Sequence, residues 1–188
     1  MIRTFYIIAF FILIFPQINF SQFKPQRNES KTLIKVEKAK LNYGNLQIQA
    51  GKISQAGVNG EFNIVVDYTY PIIVEKLGGR ERMISFLQND FAQMKADGFE
   101  LVSVEVGQAK QIEEIDGQLF AILPTTMIIK SPQGKARGES SIIGISNDTG
   151  INWKFISAIN QERFKKVFPK VAEKIQIPDE KPPTLILQ

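Results

Sequence analysis

Asp67, Tyr68 and Tyr70 bring a carboxylate and two phenols together within a largely apolar stretch, Glu61–Leu77. A carboxylate among apolar neighbours becomes a useful general base, because burial disfavours its charged form. A nearby phenol can donate a hydrogen bond to a developing enolate. On an uninterrupted helix Asp67 and Tyr70 share a face, and Tyr68 turns about 100° away. The chemistry this suggests is carboxylate-based proton transfer, with Asp67 as base and Tyr70 as donor. The blander reading is preferred: Asp67 caps or pairs locally, and the tyrosines fill a helix–sheet interface. Trp153 and Phe155 flank Lys154 and, with Tyr68, are candidates to line a ligand pocket. As large aromatics they serve equally as core.

No other constellation carries chemistry. The chain has neither cysteine nor histidine. That excludes disulfides, thiolate sites, cysteine nucleophiles and every serine–histidine or cysteine–histidine pair. Glu105, Glu113, Glu114 and Asp116 follow no calcium-loop spacing. There is no glycine-rich phosphate loop, zinc pattern or serine elbow. The expectation is no metal and no cofactor.

The formal charge over all 188 residues is +4. Residues 22–60 hold seven Lys/Arg against two Glu, and residues 61–110 hold five against eight Asp/Glu. The basic ends include Lys35, Lys38 and Lys40, and Arg163, Lys165 and Lys166. They are read as solvated ends, with at most weak contact to an anionic envelope surface. No basic stripe interleaves with aromatics, so nucleic acid is not expected as a partner.

Arg3 precedes an eleven-residue apolar run, Phe5–Phe15, then Pro16 and Ser21. This is the layout of a cleaved export signal. Crossing a bilayer as a helix takes about 20 apolar residues, so the short run favours a cleaved signal over the alternative, an uncleaved membrane anchor. Residues 1–21 are read as the signal peptide. Cleavage near Ser21-Gln22 gives a periplasmic or secreted chain with no transmembrane segment. Residues 22–45 are read as a flexible basic arm, 46–178 as one domain, and the proline-rich 179–188 as an extended tail.

Leu46, Ala50, Ile53 and Ala56 mark a first helix near 46–58, ended by Gly60. Glu61–Leu77 is a second, broken near Tyr70 by Pro71. Arg80–Asp97 is a third, with Met83, Leu87, Phe91 and Met94 on one stripe and Gly98 as its cap. The period then becomes two, starting with Val102, Val104 and Val106. Turn signals at Asp116-Gly117, Ser131–Gly134 and Asn147–Gly150 divide the rest into strands. Pro124 lies inside one of them and suggests an edge strand or a bulge. Helices followed by an antiparallel meander make an α+β domain with its helices on one face of the sheet. Gln161–Phe168 is expected to add a short closing helix.

Asp67–Pro71 (DYTYP), Gly78-Gly79, Gly98-Phe99-Glu100, Asn152–Ile156 (NWKFI) and Phe168-Pro169 resemble a group of small exported bacterial proteins without assigned function. The element order over about 46–178 resembles the cystatin-like, nuclear transport factor 2-like superfamily. That resemblance implies N-terminal helices packed on a curled four-stranded antiparallel meander. The superfamily's ketosteroid isomerases pair a carboxylate base with a tyrosine donor, although Asp67 and Tyr70 match no isomerase motif residue by residue. Only Gly78-Gly79 separates the second and third helices. The strand pair usual there is therefore absent, and the pocket is expected to be shallow. The preferred function is a non-catalytic exported module that binds a protein or small ligand through its sheet. The alternative is a small isomerase-like pocket enzyme.

The export reading has a direct test. Intact-mass measurement of the exported chain should place its start near Gln22. A mass that still includes Phe5–Phe15 would contradict it.

Overall fold

The computed structural model describes residues 43–158, 161–178 and 181–186. The proposed signal 1–21 and the arm as far as Asn42 lie outside the described residues. Tyr43–Asn45, assigned from sequence to the arm, already open the first helix.

Helix α1 (Gly44–Asn59) buries Leu46, Ala50, Ile53 and Ala56, and Gly60 ends it at φ 73°. Only a residue tolerant of left-handed backbone closes a helix this way. Pro71 then divides the second apolar segment into α2 (Phe62–Tyr68) and α3 (Pro71–Lys76), where proline takes the first helical position. Gly78 and Gly79, at φ 91° and 93°, turn the chain directly into α4 (Arg80–Ala96). No strand intervenes, as the spacing requires. Met83, Ile84, Leu87 and Met94 are buried, and Phe91 packs edge-on against Phe62 at 5.5 Å between ring centroids.

Among the described residues six strands follow: β1 (Glu100–Val106), β2 (Gln111–Ile115), β3 (Gln118–Ser131), β4 (Gly134–Ser146), β5 (Lys154–Ser157) and β6 (Lys181–Ile186). They form one curled antiparallel sheet, and the protein is α+β. The two long strands, β3 and β4, pair from Leu119↔Ser146 to Ser131↔Gly134. Each outer edge of this hairpin carries two short strands end to end. β1 and β2 both pair with β3, and β5 and β6 both pair with β4. The six strands therefore stand four ranks wide. Of the segment read as a tail, residues 181–186 belong to the sheet.

Asp116 and Gly117 have φ of 52° and 79°, the left-handed pair that a two-residue hairpin needs. In β1 the alternation slips once. Leu101 pairs with Ile129 and Ser103 with Ile128, so Val102 bulges out and is 42% exposed. Val104 and Val106 keep the helix-facing side by pairing with Met127 and Thr125.

Two expectations need correction. Pro124 lies neither at an edge nor in a bulge but in central strand β3, opposite Ser141. It stands where β3 changes neighbours, between Thr125↔Val106 and Ile122↔Gln111. Its carbonyl accepts the Gly107 N–H at 2.8 Å on that side. A strand residue's N–H and C=O point the same way, so the missing donor falls in the gap between β1 and β2. Nor are the helices confined to one face. Helix α5 (Gln161–Val167) and α6 (Pro169–Ala172) cover the opposite face. There Phe164, Val171, Ile175 and Ile177 pack on Phe120, Ile122, Ile143 and Ile145.

The inner face joins Leu119, Ala121, Leu123, Ile142, Trp153 and Phe155 to α1, α2 and α4. Gly144 sets its closest approach. A Cβ there would lie 2.9 Å from Leu46 Cδ1, 3.1 Å from Trp153 Cε3 and 3.3 Å from Phe155 Cε1. At Gly51, on the exposed side of α1, a Cβ would meet nothing within 4 Å. The two glycines should respond oppositely to alanine. Gly51→Ala should stabilise by about 0.5–1 kcal/mol through helix propensity. Gly144→Ala should destabilise by roughly 1–3 kcal/mol through overpacking. Urea unfolding midpoints of the two variants check both signs.

Candidate functional site

The break before Pro71 decides where the candidate residues go. Helix α2 stops at Tyr68, and Thr69 and Tyr70 are extended, with ψ of 142° and 127°. Thr69 bridges in parallel to Phe155 on β5, and the Tyr70 N–H donates to the Phe155 carbonyl at 3.0 Å. The Thr69 hydroxyl donates to the Val65 carbonyl at 2.8 Å, which fastens the end of α2. The chain thereby passes around the β5 edge from one face of the sheet to the other.

Tyr68 remains on the inner side with α2. Tyr70 joins the outer cluster, its ring 6.1 Å from that of Phe168 in a T-shaped contact. Asp67 and Tyr70, which a continuous helix would align, lie on different sides of the sheet. Burial pushes the Tyr70 phenol above its usual pKa, against a smaller opposing effect of its hydrogen bond with Gln118. It is a neutral phenol packed among aromatics.

Asp67 stands outside any apolar enclosure. Its side chain is 58% exposed and ion-paired with Arg80. Arg80 also donates to the Asn63 carbonyl at 3.3 Å and to Asn63 Oδ1 at 3.4 Å. Lys154 donates to the Asp67 backbone carbonyl, and its ammonium lies 5.9 Å from the Tyr68 ring centroid. Asp67 thus sits between an arginine and a lysine at the surface, tying α2 to α4 and β5.

Trp153 and Phe155, the other pocket candidates, are 0% and 2% exposed. Trp153 Nε1 donates to the Gly150 carbonyl at 2.9 Å, and its backbone N–H donates to Gln49 Oε1 at 2.8 Å. Tyr43 packs edge-on against it at 6.0 Å. With Gly144 beneath them, both rings fill the core between α1 and the sheet.

Several polar residues the sequence did not single out prove to be fasteners. Gln49 holds the β4–β5 loop through the Ile151 carbonyl at 2.8 Å as well as through Trp153. Asp148 accepts from the Ser146 hydroxyl at 2.8 Å, the Asn152 N–H at 2.8 Å and the Asn152 amide at 2.6 Å. Those hydrogen bonds hold its carboxyl below the usual pKa. Gln161 donates to the Ala172 and Ile175 carbonyls, each at 3.1 Å, and accepts the Ile177 N–H at 2.8 Å. The sequence signal for Gln49 is a polar residue beside the buried stripe of α1. For Arg80 it is a cation that opens a helix after two glycines.

Among the described residues, one surface remains open. The outer cluster stops at Phe120, Ile122, Ile143 and Ile145. Beyond Pro124 the same face carries Thr126, Ile128 and Lys130 on β3, with Glu139, Arg137 and Lys135 opposite them on β4 and Glu105, Ser103 and Glu100 on β1. The charged members are exposed, and Thr126 and Ile128 are half-buried. Arg137 pairs with Glu139 at 3.5 Å and Lys130 with Glu100 at 3.8 Å. Of the basic ends, Lys165 and Lys166 lie exposed in the last turn of α5, whereas Lys35, Lys38 and Lys40 lie outside the described residues. Among the described residues, no three acidic side chains are grouped to hold a metal ion. No described helix is long and apolar enough to cross a membrane.

No family model matches the chain, and no curated protein matches it. Two solved structures from Catenulispora acidiphila are similar in outline. One, at 2.5 Å, has 18% identity and a TM-score of 0.44, covering 62% of this chain and 86% of that one. The other, at 2.35 Å in complex with S-DNPA, has 15% identity and a TM-score of 0.44, covering 64% and 91%.

The two kinds of candidate should separate on substitution. Trp153→Ala should cost about 3–5 kcal/mol, as deletion of a buried large aromatic does. Asp67→Asn, which removes an exposed ion pair, should cost less than about 1 kcal/mol. Denaturant unfolding of both variants tests the assignment.

Proposed function

We propose that the chain is an exported, non-catalytic binding module that meets a protein partner through the half of the outer sheet face that no other described residue covers. One observation carries this reading: the candidate catalytic pair does not converge. Asp67 is exposed between Arg80 and Lys154, and Tyr70 packs on Phe168 on the other side of the sheet. A general base must stand within reach of the same substrate as its electrophilic partner.

The open face supplies what a binding reading needs. Thr126 and Ile128 form a half-buried centre, and Glu105, Arg137 and Glu139 form a charged rim. A less polar centre within a charged rim is the usual anatomy of a protein interface. Export is supported by Arg3, the run Phe5–Phe15 and Ser21. The arrangement of helices on a curled antiparallel sheet supports kinship with the cystatin-like superfamily at the level of fold, which leaves activity open.

Site-specific photo-crosslinking in producing cells tests the proposal. A crosslinking residue at Ile128 should capture one partner repeatedly, and the same residue at Lys52, on the exposed side of α1, should not. Capture through α1 with none through Ile128 would overturn the choice of face.

A further inference from the structure

The last strand is attached in an unusual way. β6 pairs with β4 through Ile186↔Lys135, Leu185↔Ala136 and Thr184↔Arg137. None of its side chains belongs to a core cluster among the described residues. Leu185 is 57% and Ile186 41% exposed. Backbone pairing, rather than buried area, holds it in place.

β6 also makes a poor template for a further strand. Between Arg137 and Glu139 the β4 chain advances two residues while β6 advances three, from Thr184 to Lys181. The extra residue falls at Pro182-Pro183. Prolines lack the N–H that a new strand would need, and bulges twist an edge away from pairing.

The β4 edge beneath is the reverse. Residues 135–139 contain no proline. Lys135, Arg137 and Glu139 point to one face and Ala136 and Gly138 to the other. Suppose two such edges pair antiparallel about a two-fold axis at Arg137. Lys135 of each copy then stands opposite Glu139 of the other, twice, and the small Ala136 and Gly138 meet on the second face. Opposite charges directly across a ladder favour pairing, and a two-fold contact closes on itself. Arg137 opposes its own counterpart, but it is already paired with Glu139 of its own chain at 3.5 Å.

We propose that β6 is a removable guard over the 135–139 edge of β4, and that the uncovered edge pairs with the same edge of a second copy of this chain. The pairing shares Arg137 and Glu139 with the rim of the outer face, but it does not rest on what that face binds.

The test uses full-length chains and their mass in solution by light scattering. The parent should be monomeric. Two variants uncover the edge. Thr184→Pro leaves three consecutive residues without an N–H, and the other replaces residues 181–186 with a glycine–serine hexapeptide of equal length. Emission from buried Trp153 selects the folded chains. Each should show a twofold rise in mass and fast amide exchange in β6 or its replacement, with exchange at 135–139 slowed in the dimer. Adding Glu139→Lys should return the mass to that of the monomer, and adding Lys135→Glu to that variant should restore the dimer. A folded hexapeptide variant that stays monomeric overturns the proposal. So does a dimer indifferent to both charge changes.

Discussion

Leu119 to Leu123 and Ile142 to Ile145 face each other across the β3–β4 ladder, and both runs are buried from two sides. This double burial is the constraint on which the other elements depend. A sheet covered on one side alternates apolar with polar residues, whereas one covered on both sides reads as a continuous apolar run. Each fully buried Leu or Ile contributes about 1.5–3 kcal/mol, so neither face of this stretch can be left to water. Helices α1, α2 and α4 meet the inner face, and α5 with α6 meets the outer one. Past Pro124 the outer cover ends, and alternation returns. Met127 and Ile129 are buried, while Thr126 and Ile128 are only partly so and Lys130 is exposed.

Local irregularities follow from that crossing. With cover on both sides, the chain must pass from one face to the other around a sheet edge. Thr69 and Tyr70 do so by pairing with Phe155 as an extended segment between α2 and α3. The helix break at Pro71 is therefore the means by which an N-terminal segment contributes Tyr70 to the outer core. Gly144 answers a related demand. Trp153 and Phe155 sit over its neighbours while Leu46 descends from α1, and only a residue without a side chain fits between them.

The sequence makes elements legible where one physical signal acts alone. The Met83–Met94 stripe, the caps Gly60 and Gly98, the Asp116-Gly117 turn and the break at Pro71 all depend on local geometry. What it hides depends on partners distant in the chain. Pro124 suggests an edge because a central proline normally loses a ladder bond. Only the succession of β1 and β2 along β3 shows that no bond is owed there. The residues 181–186 read as a tail because prolines depress strand propensity, yet the β4 edge still recruits them. The candidate site illustrates the same limit. Spacing brings Asp67 and Tyr70 together only if the helix continues, and Pro71 rules that out. Recognising the break is simpler than foreseeing that the two sides of the break face opposite cores.

Four of the fasteners are glutamines, a residue type suited to a chain without histidine. Gln47 donates to the Val106 carbonyl at 2.8 Å, Gln49 holds Ile151 and Trp153, Gln111 donates to the Lys174 carbonyl at 2.7 Å, and Gln161 holds Ala172, Ile175 and Ile177. A primary amide donates and accepts at once and does not titrate. These ties span roughly 60 to 100 residues of sequence where they join α1 to β1 and to the β4–β5 loop. The ion pairs Asp67–Arg80, Glu100–Lys130, Glu139–Arg137 and Asp116–Lys170 all lie at exposed positions, where screening by water leaves each worth little. Among the described residues, the glutamine ties that cross the apolar core are neutral, while these four ion pairs lie at the surface.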